Sequence, residues 1–286
     1  MIYKNKTEFV GDKYLLSVSG GKDSTAMILY MKECLVDPGI IDYVFMDTGW
    51  EDVQTYQYLD YLEQTLGIQI NRIRRNVQIK EEHQEIYNKC LNILGRDYSD
   101  FLAMALNKGM FASGRFKYCT IELKINPFQS FIDGLEYEPV SCVGIRREES
   151  TRRSTYAEWE FNDGFNVWVY RPIIDFTEQQ VIDIHRRHSV MPNPLYLQGS
   201  HRVGCYPCIN SNKKELAHFP KDHPHYRVIE LLEKYISSKR GKEVTFFKHR
   251  TIDEILQWAK TSHGGKQYFL FNNDSPTCEK WGMCGI

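Results

Sequence analysis

Ser17-Val18-Ser19-Gly20-Gly21-Lys22-Asp23-Ser24-Thr25 is the stretch around which the rest of the chain is read. An apolar run, Tyr14-Leu15-Leu16, leads into it, and an amphipathic run, Ala26 to Met31, leads out. That order predicts a strand over 14–18, a tight glycine turn and a helix over 22–35. Gly20 and Gly21 let the backbone turn sharply and approach a ligand closely. The unpaired N–H groups that open a helix, with its dipole, favour phosphate or sulfate. Ser19, Ser24 and Thr25 add hydroxyls, Lys22 a cation, and Asp23 a carboxylate able to hold Mg²⁺. The competing reading is a glycine turn capped by serines. Strand, helix, Lys22 and Asp23 in one short window favour the anion site.

The bulk numbers set the frame. A chain of 286 residues accommodates one large α/β domain, alone or with a smaller appendage. Its 36 Lys and Arg balance 37 Asp and Glu, so no global basic field calls for nucleic acid, although a local basic groove remains open. The N-terminal residues lack an apolar leader core and no run is long enough to cross a membrane, so the expectation is a cytoplasmic protein without a membrane partner. In a reducing compartment, eight cysteines point to packing, metal binding or redox chemistry rather than to a disulfide framework.

Outward from the loop, Ile41 to Met46 reads as a buried strand leading into Asp47-Thr48-Gly49-Trp50-Glu51. A helix follows over 53–66 and a strand over 68–73. Alternating strands and helices imply an open parallel sheet with right-handed crossovers and ligands beyond the carboxyl ends of its strands. Ser19–Thr25 and Asp47–Glu51 are therefore expected on one rim, the alternative for the second segment being a simple acidic turn. Residues 76–112 read as polar helices without a functional signal, and Cys34, Cys90 and Cys142 as buried small apolar residues.

Val140 to Gly144 predicts another strand, ending in Gly144-Ile145-Arg146-Arg147-Glu148-Glu149-Ser150, with Arg152 and Arg153 just beyond. Guanidinium forks at a strand's carboxyl end suit an anion, against the alternative of a solvated charged loop. Thr177 is the expected N-cap of a helix over 178–188, whose His185 and His188 read as part of a solvated face. Residues 210–262 predict a second helical stretch, and 272–286 a polar, turn-rich tail holding Cys278 and Cys284.

Cys205-Tyr206-Pro207-Cys208 is a two-thiol bite of the kind that serves zinc, iron–sulfur clusters and dithiol redox chemistry. Cys119, with Cys284 or Cys278, would complete four thiolates for a [4Fe–4S] cluster or a structural Zn²⁺. A redox dithiol and simple packing are the alternatives. The pair lacks the strand–helix setting of a thioredoxin-type motif.

Read together, SGGKDS (19–24), DTGWE (47–51), CTIELKINP (119–127), GIRREES (144–150), RPIIDFT (171–177) and NPLYLQGSHRVGCYPC (193–208) resemble the phosphoadenosine phosphosulfate (PAPS) reductase family of the PP-loop ATP pyrophosphatase superfamily, including its DNA phosphorothioation branch. The resemblance covers roughly residues 14–210. It implies a PP-loop nucleotide-binding domain over 1–210 and a helical, cysteine-bearing segment over 211–286. It also implies adenine-nucleotide contacts from Ser19, Gly20, Gly21, Lys22, Asp23, Ser24, Thr25, Asp47, Thr48, Gly49, Glu51, Gly144, Arg146 and Arg147. Iron–sulfur members of the family use a cysteine of the third block with the CxxC pair, here Cys119, Cys205 and Cys208.

Three functions follow from this resemblance. The first is an enzyme that adenylates an acceptor with Mg·ATP, using Lys22 and Asp23, and couples this to sulfur transfer. A nucleic-acid acceptor or a sulfur-donor protein is compatible with this reading. The second is a sulfonucleotide reductase acting on adenylyl sulfate or PAPS, for which Cys284-Gly285-Ile286 resembles the C-terminal nucleophile motif, with Met283 in place of the usual Glu. The third is a non-catalytic nucleotide- and metal-binding subunit of an assembly. A homo-oligomer is compatible with each.

Overall fold

A hairpin of β1 (Ile2–Lys4) and β2 (Glu8–Gly11) precedes the first central strand, β3 (Lys13–Val18). In this computed structural model the described residues are 1–4, 8–34, 37–263 and 281; Cys278 and Cys284 lie outside them. β3 runs through the glycine turn into α1 (Lys22–Cys34). The chain then forms β4 (Ile41–Met46), α2 (Val53–Leu66) and β5 (Ile70–Ile73), the last two residues shorter than expected. Asp52 starts α2 by accepting the Gln54 N–H, and Gly67 ends it at φ +61°, in the left-handed region where glycine carries no Cβ penalty.

Helices α3 (Gln84–Leu94) and α4 (Asp100–Lys108) follow, then a continuous helical stretch: α5 (Tyr118–Thr120), a π-helical segment (Ile121–Ile125) and α6 (Asn126–Asp133). β6 (Pro139–Val143) returns to the other side of β3. Two short strands that the sequence did not suggest, β7 (Trp159–Asn162) and β8 (Val167–Tyr170), complete the sheet. The remainder is helical: α7 (Glu178–Arg187), α8 (Pro194–Leu197), α9 (Lys213–Ala217), α10 (Pro224–Arg240) and α11 (Ile252–Ala259).

The sheet order is β5-β4-β3-β6-β8-β7, parallel throughout except for the antiparallel edge strand β7. Because the chain leaves β3 toward β4 on one side and comes back to β6 on the other, a crevice opens at the carboxyl ends of β3 and β6. Open α/β sheets bind ligands at that switch point. One apolar cluster (Leu16, Met27, Leu29, Leu59, Val140, Ile184) lies where α1, α2 and α7 meet the sheet.

A second cluster corrects the reading of 76–112 as uninformative polar helices. Leu102 and Leu106 of α4 are buried there with Trp50, Phe219, Leu232, Phe246 and Leu256. Apolar residues of 211–259 therefore share a core with α3 and α4, across the expected boundary at 210. Cys90 and Cys142 are buried as expected, but Cys34, at the last turn of α1, is exposed. No helix among the described residues is long and apolar enough to cross a membrane.

Candidate functional site

The glycine turn is held by its own hydroxyls. Ser24 Oγ donates to the Gly21 carbonyl (2.9 Å) and accepts the Ser19 N–H (3.2 Å), while Ser19 Oγ accepts the Gly21 N–H (3.3 Å). Thr25 Oγ1 also donates to the Gly21 carbonyl, at 3.1 Å. The Ser24 and Thr25 side chains, both buried, thus shape the turn from within. Gly20 sits at φ +70°, and a Cβ there would stand 2.9 Å from Thr55 Cγ2. Any side chain at that position is both strained and crowded.

Three residues given no role by the sequence reading fix the turn from outside. Asn193, fully buried, donates to the Gly20 carbonyl at 3.1 Å. Tyr196 Oη accepts the Lys22 N–H at 3.1 Å, and His185 Nε2 lies 3.0 Å from the Lys22 carbonyl. His185 is 1% exposed, so its expected place on a solvated face is corrected, whereas His188 does face outward and meets Glu33. Burial pushes the His185 imidazole below its ordinary pKa. A signal for this was present: His185 lies four residues after Val181, on the same face of the helix.

Lys22 Nζ lies 3.6 Å from Glu178 and 3.9 Å from Asp23, over the Tyr196 ring. Arg146, whose side chain is 5% exposed, places Nε 2.6 Å from Asp23 Oδ1 and Nη1 2.7 Å from Glu148. Asp23 is thus balanced by two cations. As placed, Oδ1 of its carboxylate meets Arg146, and Oδ2 lies 3.9 Å from the Lys22 ammonium. Gly144 makes the approach of β6 possible, since a Cβ on it would fall 2.8 Å from the Asp23 carbonyl. Arg147 turns instead to Asp175 and to the Tyr156 carbonyl, and Arg153 to Glu149.

Asp47–Glu51 lies at the carboxyl end of β4, on the expected rim, with its side chains turned inward. Asp47, Thr48 and Glu51 are fully buried. Asp47 accepts from Tyr56 Oη and the Gly49 N–H, at 2.7 and 2.8 Å, and from Tyr98 Oη. Glu51 accepts from Thr48 Oγ1, the Trp50 N–H and Tyr56 Oη at 2.8, 3.1 and 3.0 Å.

That rim is clipped to the CxxC loop. Tyr206 donates its N–H to the Trp50 carbonyl (2.9 Å), Trp50 Nε1 donates to the Pro207 carbonyl (3.1 Å), and Glu51 pairs with Cys205 as an isolated β-bridge. The Cys205 thiol stands 3.6 Å from Glu51 Oε1, and burial pushes its pKa up to about 12. Burial likewise raises Cys119, with Cys208 adding to the shift. Lys124 is drawn up chiefly by the Cys205 thiolate, and by Glu51. This lysine was present in the quoted third block but had been given no role.

Cys205 lies close enough to Cys119 and Cys208 for each to add to the rise in its pKa, after burial. Among the described residues, however, no three His, Cys, Asp or Glu side chains stand together as metal ligands. The proposed fourth ligands, Cys278 and Cys284, lie outside the described residues. A cavity of about 190 Å³ opens beside the loop, lined by Arg202, Cys205, Cys208, Ser211, Glu215 and His218 among others.

The family model of the phosphoadenosine phosphosulfate reductase domain matches residues 13–211. A 37.8 kDa protein of Escherichia phage 186, described as uncharacterized, is 34% identical, over 94% of this chain and 96% of its own length. An adenosine 5'-phosphosulfate reductase of Rhodococcus opacus is 25% identical, over 60% of each chain. Among solved structures, a phosphoadenylyl-sulfate reductase from Candida auris superposes with a TM-score of 0.48 and 17% identity, covering 69% of this chain and 82% of that one.

Proposed function

Because this chain belongs to the phosphoadenosine phosphosulfate reductase domain family, we propose that it is an enzyme that binds ATP at Ser19–Ser24 and couples adenylation to sulfur transfer at the Cys205–Cys208 loop. The observation that carries this reading is the double hold on Lys22. Its N–H donates to Tyr196 Oη, its carbonyl faces His185 Nε2 at 3.0 Å, and its side chain, 11% exposed, sets the ammonium beside Asp23 and Glu178. A loop held this way is preorganised to receive phosphate oxygens, which lowers the reorganisation cost of charge stabilisation.

In this reading the Asp23 and Ser24 N–H groups and the Lys22 ammonium meet the phosphates, the Lys22 N–H being held by Tyr196, and Arg146 acts on the site through Asp23. An acceptor oxygen attacks the α-phosphorus of ATP, and the bond to the β-phosphate oxygen breaks. Pyrophosphate leaves and the acceptor proton passes to solvent. A sulfur nucleophile then displaces AMP from the adenylated acceptor, a small molecule or a nucleic acid. No step is assigned to Mg²⁺.

Cys119, Cys205 and Cys208, with Cys284 or Cys278, are the thiols that would hold a [4Fe–4S] cluster or Zn²⁺. When bound, such a group would supply soft-sulfur or electron-transfer chemistry to the loop. Lys124 would offset the negative charge of those thiolates. Pyrophosphate release from ATP, measured for the wild type, Lys22→Ala and Asp23→Ala, tests the adenylation reading. Turnover that survives both substitutions contradicts it.

A second reading, sulfonucleotide reduction, is favoured by one contact. Trp281 is buried against Tyr196, beside the nucleotide loop. Cys284 follows three residues later in the sequence, outside the described residues. A Cys284 thiolate would attack the sulfur of adenosine 5'-phosphosulfate and expel AMP. An external thiol would then release sulfite and leave a disulfide. Sulfite release that Cys284→Ser abolishes supports this reading; no release from the wild type removes it.

A further inference from the structure

Trp281 is 5% exposed although it lies far along the chain from everything it touches. Its indole meets His185 edge-on, with centroids 5.2 Å apart and planes at 81°, and leans on Tyr196 at 6.3 Å. The Arg186 Nε donates to its carbonyl at 3.4 Å. His185 and Tyr196 are the side chains that hold the two backbone polar groups of Lys22, the carbonyl at 3.0 Å and the N–H at 3.1 Å. One indole thus backs both supports of the first residue of α1.

His185 depends on such backing. Its Nδ1 lies 3.2 Å from the Val190 carbonyl while Nε2 faces the Lys22 carbonyl, so both ring nitrogens point at acceptors. A neutral imidazole carries one N–H and can donate to only one of them. Hydrogen bonding alone does not fix the ring, and packing must supply the remainder. An indole buries about 150–250 Å² and prefers this edge-to-face geometry. Tyr196 is in a comparable position, because its hydroxyl accepts from Lys22 while its ring lies 5.2 Å beneath the Lys22 ammonium.

We infer that Trp281 is a positioning residue for the nucleotide loop, acting through His185 and Tyr196 on the Lys22 backbone. The inference rests on the reading of Ser19–Ser24 as a nucleotide site. Docking of Trp281 and binding of nucleotide then favour one another, and the coupling is reciprocal.

The test uses the full chain with ATP as the probe. Trp281→Ala is expected to weaken ATP binding by about tenfold, and Trp281→Phe, which keeps an edge-on ring, by less. Hydrogen exchange of the segment 19–25 should quicken in Trp281→Ala while β3 and β4 stay protected, a change that general loss of stability would not confine to the loop. In the other direction, ATP should alter the emission that is present in the wild type and missing in Trp281→Phe. Equal ATP affinity in the wild type and both variants, with unchanged exchange at 19–25, overturns the inference and leaves the nucleotide site standing. A wild type that binds no adenine nucleotide overturns the reading of the site itself.

Discussion

Arg146, just beyond β6, reaches across the switch point to Asp23 at the start of α1, with Nε 2.6 Å from Oδ1. The pair is largely buried, at 5% and 17% side-chain exposure, and it ties the strand on one side of the crevice to the helix on the other. Removing one partner of such a pair leaves an uncompensated charge. Arg146→Ala is expected to lower unfolding free energy by about 3 kcal/mol in urea titration and to weaken ATP binding as Asp23 turns toward Lys22. Unchanged stability and affinity would show that the pair is incidental.

Gly144 has no room for a methyl group. A Cβ there would meet the Asp23 carbonyl at 2.8 Å and Ser24 Cα at 3.0 Å, both parts of the backbone that cannot rotate aside. Gly144→Ala should displace the loop, reducing nucleotide affinity more than it reduces melting temperature. An affinity equal to that of the wild type would mean that the loop adapts freely.

His225 gives the fold a dependence on pH. It is 3% exposed, packs edge-on against Trp50 at 4.5 Å, and neither ring nitrogen has a hydrogen-bond partner among the described residues. Burial holds its pKa well below the ordinary imidazole value, and the His223 and Arg96 charges add to this. Unfolded histidine takes up a proton near pH ~6.5, so below that point the unfolded state binds more protons. Stability is therefore complete above pH ~6.5 and lost as pH falls. Glu233, pushed up to about 7 by burial, pulls the other way, its contribution being present at low pH and lost as pH rises through that value. Comparing the wild type with His225→Phe isolates the histidine: its melting temperature should fall less between pH 7 and 5. Equal slopes would exclude His225 as the cause.

Lys124 and Cys205 form a further testable pair. The ammonium holds the thiol's pKa down against burial and the Glu51 charge. Lys124→Gln should slow alkylation of Cys205 in metal-free protein at pH 8, and mass spectrometry of the modified peptide would read the rate. Alkylation at the same rate would separate the lysine from the thiol.

Much of this site could be read from the sequence, and the exceptions have physical reasons. β3, α1, β4 and α2 were legible because apolar periodicity and turn residues agreed over Tyr14–Leu66. β7 and β8 were not, since four-residue strands such as Trp159-Glu160-Phe161-Asn162 carry too little pattern. The loop's motif stood out, but its supports did not. Tyr196, Asn193 and His185 act over 163 to 174 residues of separation, and only the folded chain brings them to Gly20 and Lys22. The arginine run after β6 reads as anion-binding from its charge alone, and its carboxylate partners, Asp23, Asp175 and Glu149, could not be read from the sequence.

The central claim is that Ser19–Ser24 binds an adenine nucleotide, and calorimetric titration of the full chain with ATP tests it most directly. The account predicts saturable binding by the wild type and at least roughly tenfold weaker binding by Lys22→Ala, with melting temperature preserved. No binding of either ATP or adenosine 5'-phosphosulfate, or equal affinity in the two proteins, would contradict it.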